Sequence, residues 1–119
     1  MRLQDEMYTI VRTEGDTTTI AFHSEHVIYK AHFPGKPITP GVCIIQIINE
    51  LLELKMSKTL QLKEVKNLKF VNPISPVEEP SVDVLFEKTE AENGEVKAKG
   101  LILKGEKIYT KFSLRFQEA

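Results

Sequence analysis

A chain of 119 residues, 41% hydrophobic and 28% charged, has the make-up of one globular domain, with enough mass to bury a core and little to spare. A formal net charge of −1 and a pI near 6.3 exclude binding to nucleic acid or to a membrane surface driven by bulk charge. No apolar run is long enough to span a bilayer, the opening MRLQDEMYTI lacks the apolar region of a secretory leader, and the single cysteine, Cys43, cannot close an internal disulfide, so a cytoplasmic protein is expected.

Met7 to Arg12 and Thr17 to Phe22 are rich in β-branched and aromatic residues and flank Glu14-Gly15-Asp16, which predicts a hairpin. His23 to Phe33 has a mixed pattern and reads as a loop with a short turn of helix. Val42 to Leu54 carries Val42, Ile44, Ile45, Ile47, Ile48, Leu51, Leu52 and Leu54, a helix apolar around most of its circumference. Such a helix needs cover on several sides, which a sheet wrapped around it supplies, and burial must outweigh the low helix propensity of its isoleucines. Leu62 to Phe70 reads as a strand that Pro73 and Pro76 end. Val82, Val84 and Phe86 alternate and lead into a Glu92-Asn93-Gly94 turn. Val96 to Leu103, a Lys104-Gly105-Glu106 turn, and Ile108 to Phe116 complete an order of two strands, one helix and about four antiparallel strands.

The chemistry concentrates between Ala31 and Gln46, AHFPGKPITPGVCIIQ. Pro34, Pro37 and Pro40 fix φ and remove donors, so His32 to Pro40 reads as a stiff, non-helical approach to the helix. Gly41 lets the backbone come close to whatever lies above the helix start. The free N–H groups of that first turn, with the helix dipole behind them, suit a carbonyl oxygen gathering negative charge, and His32 is the base beside it. The three histidines and one cysteine show no ligand-like spacing, so no metal site is expected.

These residues resemble the 3-hydroxyacyl-(acyl carrier protein) dehydratases of fatty acid synthesis, the FabZ and FabA type. The family's His-Phe-Pro-Gly, then Pro, then Pro-Gly is matched by His32-Phe33-Pro34-Gly35, Pro37 and Pro40-Gly41. Leu68-Lys69-Phe70-Val71-Asn72-Pro73 is similar to the family's strand after the helix. Where the family has an acidic residue, fourteen positions after the histidine, this chain has Gln46. The resemblance implies an α+β hotdog fold as one domain over residues 1–119, a curved antiparallel sheet around one long central helix. It implies a homodimer or dimer-based oligomer, joined sheet to sheet with sites at the interface. It also implies a 3-hydroxyacyl thioester substrate on acyl carrier protein or coenzyme A, and no cofactor, because the thioester itself acidifies the proton to be removed.

In that reading His32 takes a proton from C2, Gly41 with Val42 holds the thioester oxygen, and Phe33, Pro40 and Val42, with Ile38, line the acyl path. Gln46 can hold a hydroxyl or a water, but its amide delivers no proton. Glu50, one turn along the same face, reverses the Glu-then-Gln order common in the family. One reading has Glu50 reach the site, directly or through a water, and restore part of the acid. The other takes Gln46, Asn49, Glu50 and Glu53 as an i, i+3, i+4, i+7 stripe on the solvated or interface-facing side. Lys30, Lys36 and Lys69 are candidates for meeting an acidic carrier. His23 and His26 read as surface residues and Cys43 as a packing residue. Two other functions stay open: a hotdog thioesterase in which Gln46 holds the carbonyl while Glu50 activates water, and a non-catalytic acyl binder or heterodimer subunit whose partner supplies the acid.

Overall fold

A computed structural model describes residues 2–31 and 35–119, so His32, Phe33 and Pro34 of the motif lie outside the described residues. The predicted hairpin is β1 (Tyr8–Glu14) and β2 (Thr17–Phe22), and Gly15 takes the left-handed φ of 58° that its tight turn requires. One helical turn, α1 (Val27–Ala31), follows, its start capped by His26 Nδ1, which accepts the Ile28 N–H at 3.1 Å. The long helix is α2 (Gly41–Met56), and Ser57 ends it with a φ of 54° and an N–H donated to the Glu53 carbonyl. Four strands complete the chain: β3 (Leu60–Phe70), β4 (Ser81–Glu92), β5 (Glu95–Lys104) and β6 (Lys107–Glu118).

The strands form one antiparallel sheet in the order β1-β2-β4-β5-β6-β3. Alternation puts Val82, Val84 and Phe86 of β4, Val96, Ala98 and Ile102 of β5, and Phe112, Leu114 and Phe116 of β6 into the core. These pack with Ile44, Ile47, Ile48, Leu51 and Leu52 of α2, so the isoleucine-rich helix is held by burial. β4 runs past its alternating residues to Glu92, because its polar second half pairs with Glu95–Lys99 of β5. Irregularities in register at Phe86/Lys88, Ile102/Leu103, Leu62/Glu64 and Val65/Asn67 bend the strands and curve the sheet.

Gly100 of β5 lies opposite both Phe86 and Phe112, whose rings meet edge-on with centroids 5.8 Å apart. A Cβ there would run into the Leu85 carbonyl oxygen and stand 2.7 Å from the Phe112 ring. The close approach of backbone at this irregularity therefore requires glycine.

Two buried tyrosines make the fold sensitive to alkali. Burial pushes Tyr29 up to about 12, and Tyr8 is also raised, by burial first and then by its hydrogen bond to Glu50. Both folded values lie above the unfolded value of about 10. Above that pH the unfolded chain releases protons that the folded chain keeps, so stability falls as pH rises. Urea midpoints should hold level up to about pH 10 and then decline, by at most about 1.4 kcal/mol per pH unit for each tyrosine. Midpoints unchanged at about pH 11.5 would contradict burial of these hydroxyls.

Candidate functional site

The start of α2 is positioned by two loops. The Tyr29 hydroxyl meets Thr39 Oγ1 at 3.0 Å, and the Thr39 N–H donates to the Ile74 carbonyl at 2.8 Å. The N–H groups of Val71 and Asn72 donate to the Tyr109 carbonyl, and Asn72 Nδ2 donates to the Ile108 carbonyl at 2.8 Å. Pro40 takes the extended conformation expected of it, with φ −63° and ψ 146°, and gives no side-chain cap. Its carbonyl accepts the N–H groups of Cys43 and Ile44 at 3.0 and 3.1 Å, which leaves those of Gly41 and Val42 as the first-turn donors outside that pairing.

Beside this helix start lies an apolar depression of about 320 Å³, lined by Ile38, Thr39, Pro40, Gly41, Ile44, Phe70, Asn72, Pro73 and Ile74. Phe70, the last residue of β3, lies against the helix: a Cβ on Gly41 would stand 2.9 Å from its ring. The glycine thus lets an aromatic side chain, 48% exposed, close over the first turn. A larger hollow of about 360 Å³ lies at the other end of α2, between the first hairpin and Leu51, Leu54 and Lys55. Its chemistry amounts to the exposed Lys55–Asp16 ion pair, and it holds none of the motif.

Of the residues singled out in the sequence, Ile38, Pro40 and Gly41 meet at the depression, while Val42 is 70% exposed and does not line it. Gln46 is half-buried and lies further along α2. Glu50 departs from the solvated side that the polar stripe gives it: it is 1% exposed, because the segment before β1 folds over it. Its Oε2 accepts the Leu3 N–H at 2.7 Å and Gln46 Nε2 at 2.8 Å, and its Oε1 accepts the Gln4 N–H and the Tyr8 hydroxyl, both at 2.9 Å. The half-buried Glu53 accepts the Leu60 N–H at 2.8 Å and ties the end of α2 to β3. His23 is half-buried and fastens the same first segment, with Nδ1–H donating to the Glu6 carbonyl at 2.9 Å and Nε2 at 2.6 Å from Thr9 Oγ1. Burial pushes the Cys43 thiol up, in keeping with packing and against a reactive thiolate. Lys30, Lys36 and Lys69 are exposed. Among the described residues no His, Cys, Asp and Glu group is placed to hold a metal ion, and no helix is long and apolar enough to cross a membrane.

Sequence reasoning missed Phe70 as a wall of the depression and Leu3, Gln4 and Tyr8 as cover for Glu50. The Gly41 close approach is a signal for the first. The second has none, since MRLQDEMY carries no periodic pattern.

A model of the ApeI-like family, described as ApeI dehydratase, matches residues 11–106. The chain belongs to this family. The ApeI-like chain is also 32% identical over 89 residues to the 3-hydroxyacyl-[acyl-carrier-protein] dehydratases FabZ of Caulobacter sp. (strain K31) and Klebsiella pneumoniae, an alignment that covers 67% of this chain and 53% and 58% of theirs. It spans about half the length of these curated relatives. Among solved structures, the dehydratase heterocomplex ApeI:P of Xenorhabdus doucetiae superposes with a TM-score of 0.63 at 13% identity, covering 93% of this chain and 98% of that one. The conserved protein PA5202 of Pseudomonas aeruginosa gives 0.64 at 9% identity, covering 94% and 88%. At such identities these superpositions speak for the fold, a six-stranded hotdog sheet around α2.

Proposed function

We propose that this ApeI-like chain removes water from 3-hydroxyacyl thioesters borne by acyl carrier protein or coenzyme A, in the building of fatty or related acyl chains. The observation that carries the reading is the start of α2, uncapped by its Pro40 side chain, begun by a glycine and opening on an apolar depression directly after the His32 motif. Family membership and the FabZ relatives point the same way.

In this mechanism His32 takes the C2 proton and negative charge gathers on the thioester oxygen, where the N–H groups of Gly41 and Val42 receive it. The electron pair then forms the C2–C3 double bond as hydroxide leaves C3. Gln46 holds the departing hydroxyl without protonating it. The proton that completes the water is therefore the one His32 has just taken. Phe33 and Pro40 accompany the acyl chain. The site is completed by a second hotdog chain joined along β3, one of the two edge strands of the sheet, where Val65 and Phe70 are 44% and 48% exposed. Another copy is the partner we assign; the Xenorhabdus doucetiae neighbour, itself a heterocomplex, makes a mixed pair the alternative form of that joint. A reducing cytoplasm suits the single, buried Cys43. The thioesterase reading needs Glu50 to activate water, and both Glu50 oxygens already receive hydrogen bonds.

Purified protein given a short 3-hydroxyacyl thioester should produce the ultraviolet absorbance of an enoyl thioester and a mass lower by one water. His32→Ala should lower turnover by about 10²–10⁴. With one residue serving as base and proton carrier, kcat/KM should rise through the imidazole range near about pH 6.5 and show no falling limb from a separate carboxylic acid. Free thiol as the product would favour the thioesterase, and binding without either product would favour the acyl binder.

A further inference from the structure

The outer face of the sheet, turned away from α2, carries charge in an arrangement that folding does not ask for. On β5, Lys97 and Lys99 alternate with the buried Val96, Ala98 and Gly100, and on β6, Lys111, Ser113 and Arg115 alternate with the buried Phe112, Leu114 and Phe116. The strand register then sets Lys88 directly opposite Lys99, Lys97 opposite Arg115, and Lys69 opposite Lys111. Like charges facing each other across strands destabilise a sheet, and here three such pairs share one face. Carboxylates answer two of these cations: Glu90 meets Lys88 at 3.1 Å, and Glu64 and Glu95 meet Arg115 at 3.0 and 2.7 Å. Lys69, Lys97, Lys99 and Lys111, with Lys66 beside them, are exposed and form no ion pair among the described residues. Lys66, Lys88, Lys97, Lys99 and Ser113 surround a hollow of about 140 Å³ that Glu90 also lines.

We propose that this face is a docking surface for an anionic lipid bilayer, on which the chain sits peripherally with α2 on the far side from the headgroups. A net charge of −1 gives the whole molecule no attraction to such a surface. At physiological ionic strength, however, exposed charges more than about 8 Å apart are largely screened from one another, so the face acts by its own excess. A protein partner is the poorer fit. Specific protein interfaces are built on aromatic, Met and Arg anchors and are depleted in lysine, and this patch of lysines includes no aromatic side chain. An acidic carrier bringing a thioester would also have to reach the depression at the start of α2, on the other side of the sheet. Lysines are hydrated point charges on flexible stems, which suits a bilayer whose phosphates move to meet them. Each one held beside an anionic bilayer strengthens binding by about fivefold.

The full chain should sediment with vesicles of about 30% phosphatidylglycerol in phosphatidylcholine at about 0.1 M salt, stay in solution with phosphatidylcholine alone, and be released at about 0.5 M salt. Lys66→Gln/Lys97→Gln/Lys99→Gln should weaken that binding by about a hundredfold. Lys30→Gln/Lys55→Gln/Lys58→Gln, which removes the same charge from around the ends of α1 and α2, should change it by less than about threefold. Because the first variant relieves the oppositions of Lys88 with Lys99 and of Lys97 with Arg115, its Tm should stand at or above the parent's, which separates lost binding from lost folding. No binding to the anionic vesicles at about 0.1 M salt overturns the proposal. So does an equal loss in the two variants, which would mark a response to net charge alone. Retention of an acidic protein or of duplex DNA in place of the vesicles overturns it as well, and gives the face to that polyanion.

Discussion

Gln46→Glu should cost about 2–4 kcal/mol of stability at neutral pH, and adding Glu50→Gln should recover part of it. The Gln46 amide nitrogen lies 2.8 Å from Glu50 Oε2, and Glu50 is buried. A glutamate at 46 would set a carboxylate oxygen against a carboxylate oxygen in a part-buried place that water screens only in part. One of the two must then take up a proton, and the folded pair keeps that proton to higher pH than the unfolded chain. The folded state thus binds more protons above the ordinary carboxylate range near about 4.3, so the stability of this variant should fall as pH rises through and beyond that value. Urea midpoints of Gln46→Glu at pH 5 and pH 8 should therefore differ more than those of the parent. The double variant puts the acid at 46 and an amide at 50 that can donate to it, the order common in the dehydratases this chain resembles. It should be more stable than Gln46→Glu alone, with the loss of one acceptor for the Leu3 N–H remaining, and should raise turnover by about tenfold or more, since general acid help is typically worth about 10²–10⁴. Full stability of Gln46→Glu alone at pH 8 would mean that residues 46 and 50 do not touch.

Gly100→Ala should lower stability by about 3 kcal/mol, enough to move Tm by about 10 °C in a domain of this size. The added methyl has nowhere to go: the Leu85 carbonyl stands on one side and the Phe112 ring on the other. Ring movement alone cannot relieve the first contact, which is with backbone, so β4 and β5 must separate or shift. The loss should appear in thermal unfolding followed by circular dichroism, and a Tm within about 2 °C of the parent would show that the strands approach less closely than described.

The order of elements was legible because alternating strands and an apolar helix announce themselves by period. Val82, Val84, Phe86 and the run from Ile108 to Phe116 needed only the rule that successive side chains face opposite ways. The Glu14-Gly15-Asp16 turn and the Pro40-Gly41 helix start were legible from backbone chemistry. The second half of β4 was not, since its polar residues are held by pairing with β5 and bury little. Glu50 was the larger miss. Its stripe of polar neighbours has the spacing of a wetted helix face, and the groups that bury it lie at the far start of the chain. Periodicity describes an element's own faces and says nothing about a segment without periodicity folding over one of them. Gln46 was legible as a departure from the family pattern, while its dependence on Glu50 needed coordinates.

The bonds from Leu3, Gln4 and Tyr8 to Glu50 reach across 47, 46 and 42 residues of sequence. Such contacts reward the chain only after α2 has met the sheet, so docking of the first segment belongs to the last stage of folding. That docking also carries Leu3, Met7 and Tyr8 into the core, so the segment is held by apolar burial as well as by Glu50. The start of the chain then becomes a tuning element for a position it never approaches in sequence. Within the family, evolutionary drift in the opening residues and the choice of amide or acid at positions 46 and 50 should travel together, as parts of one heritable module.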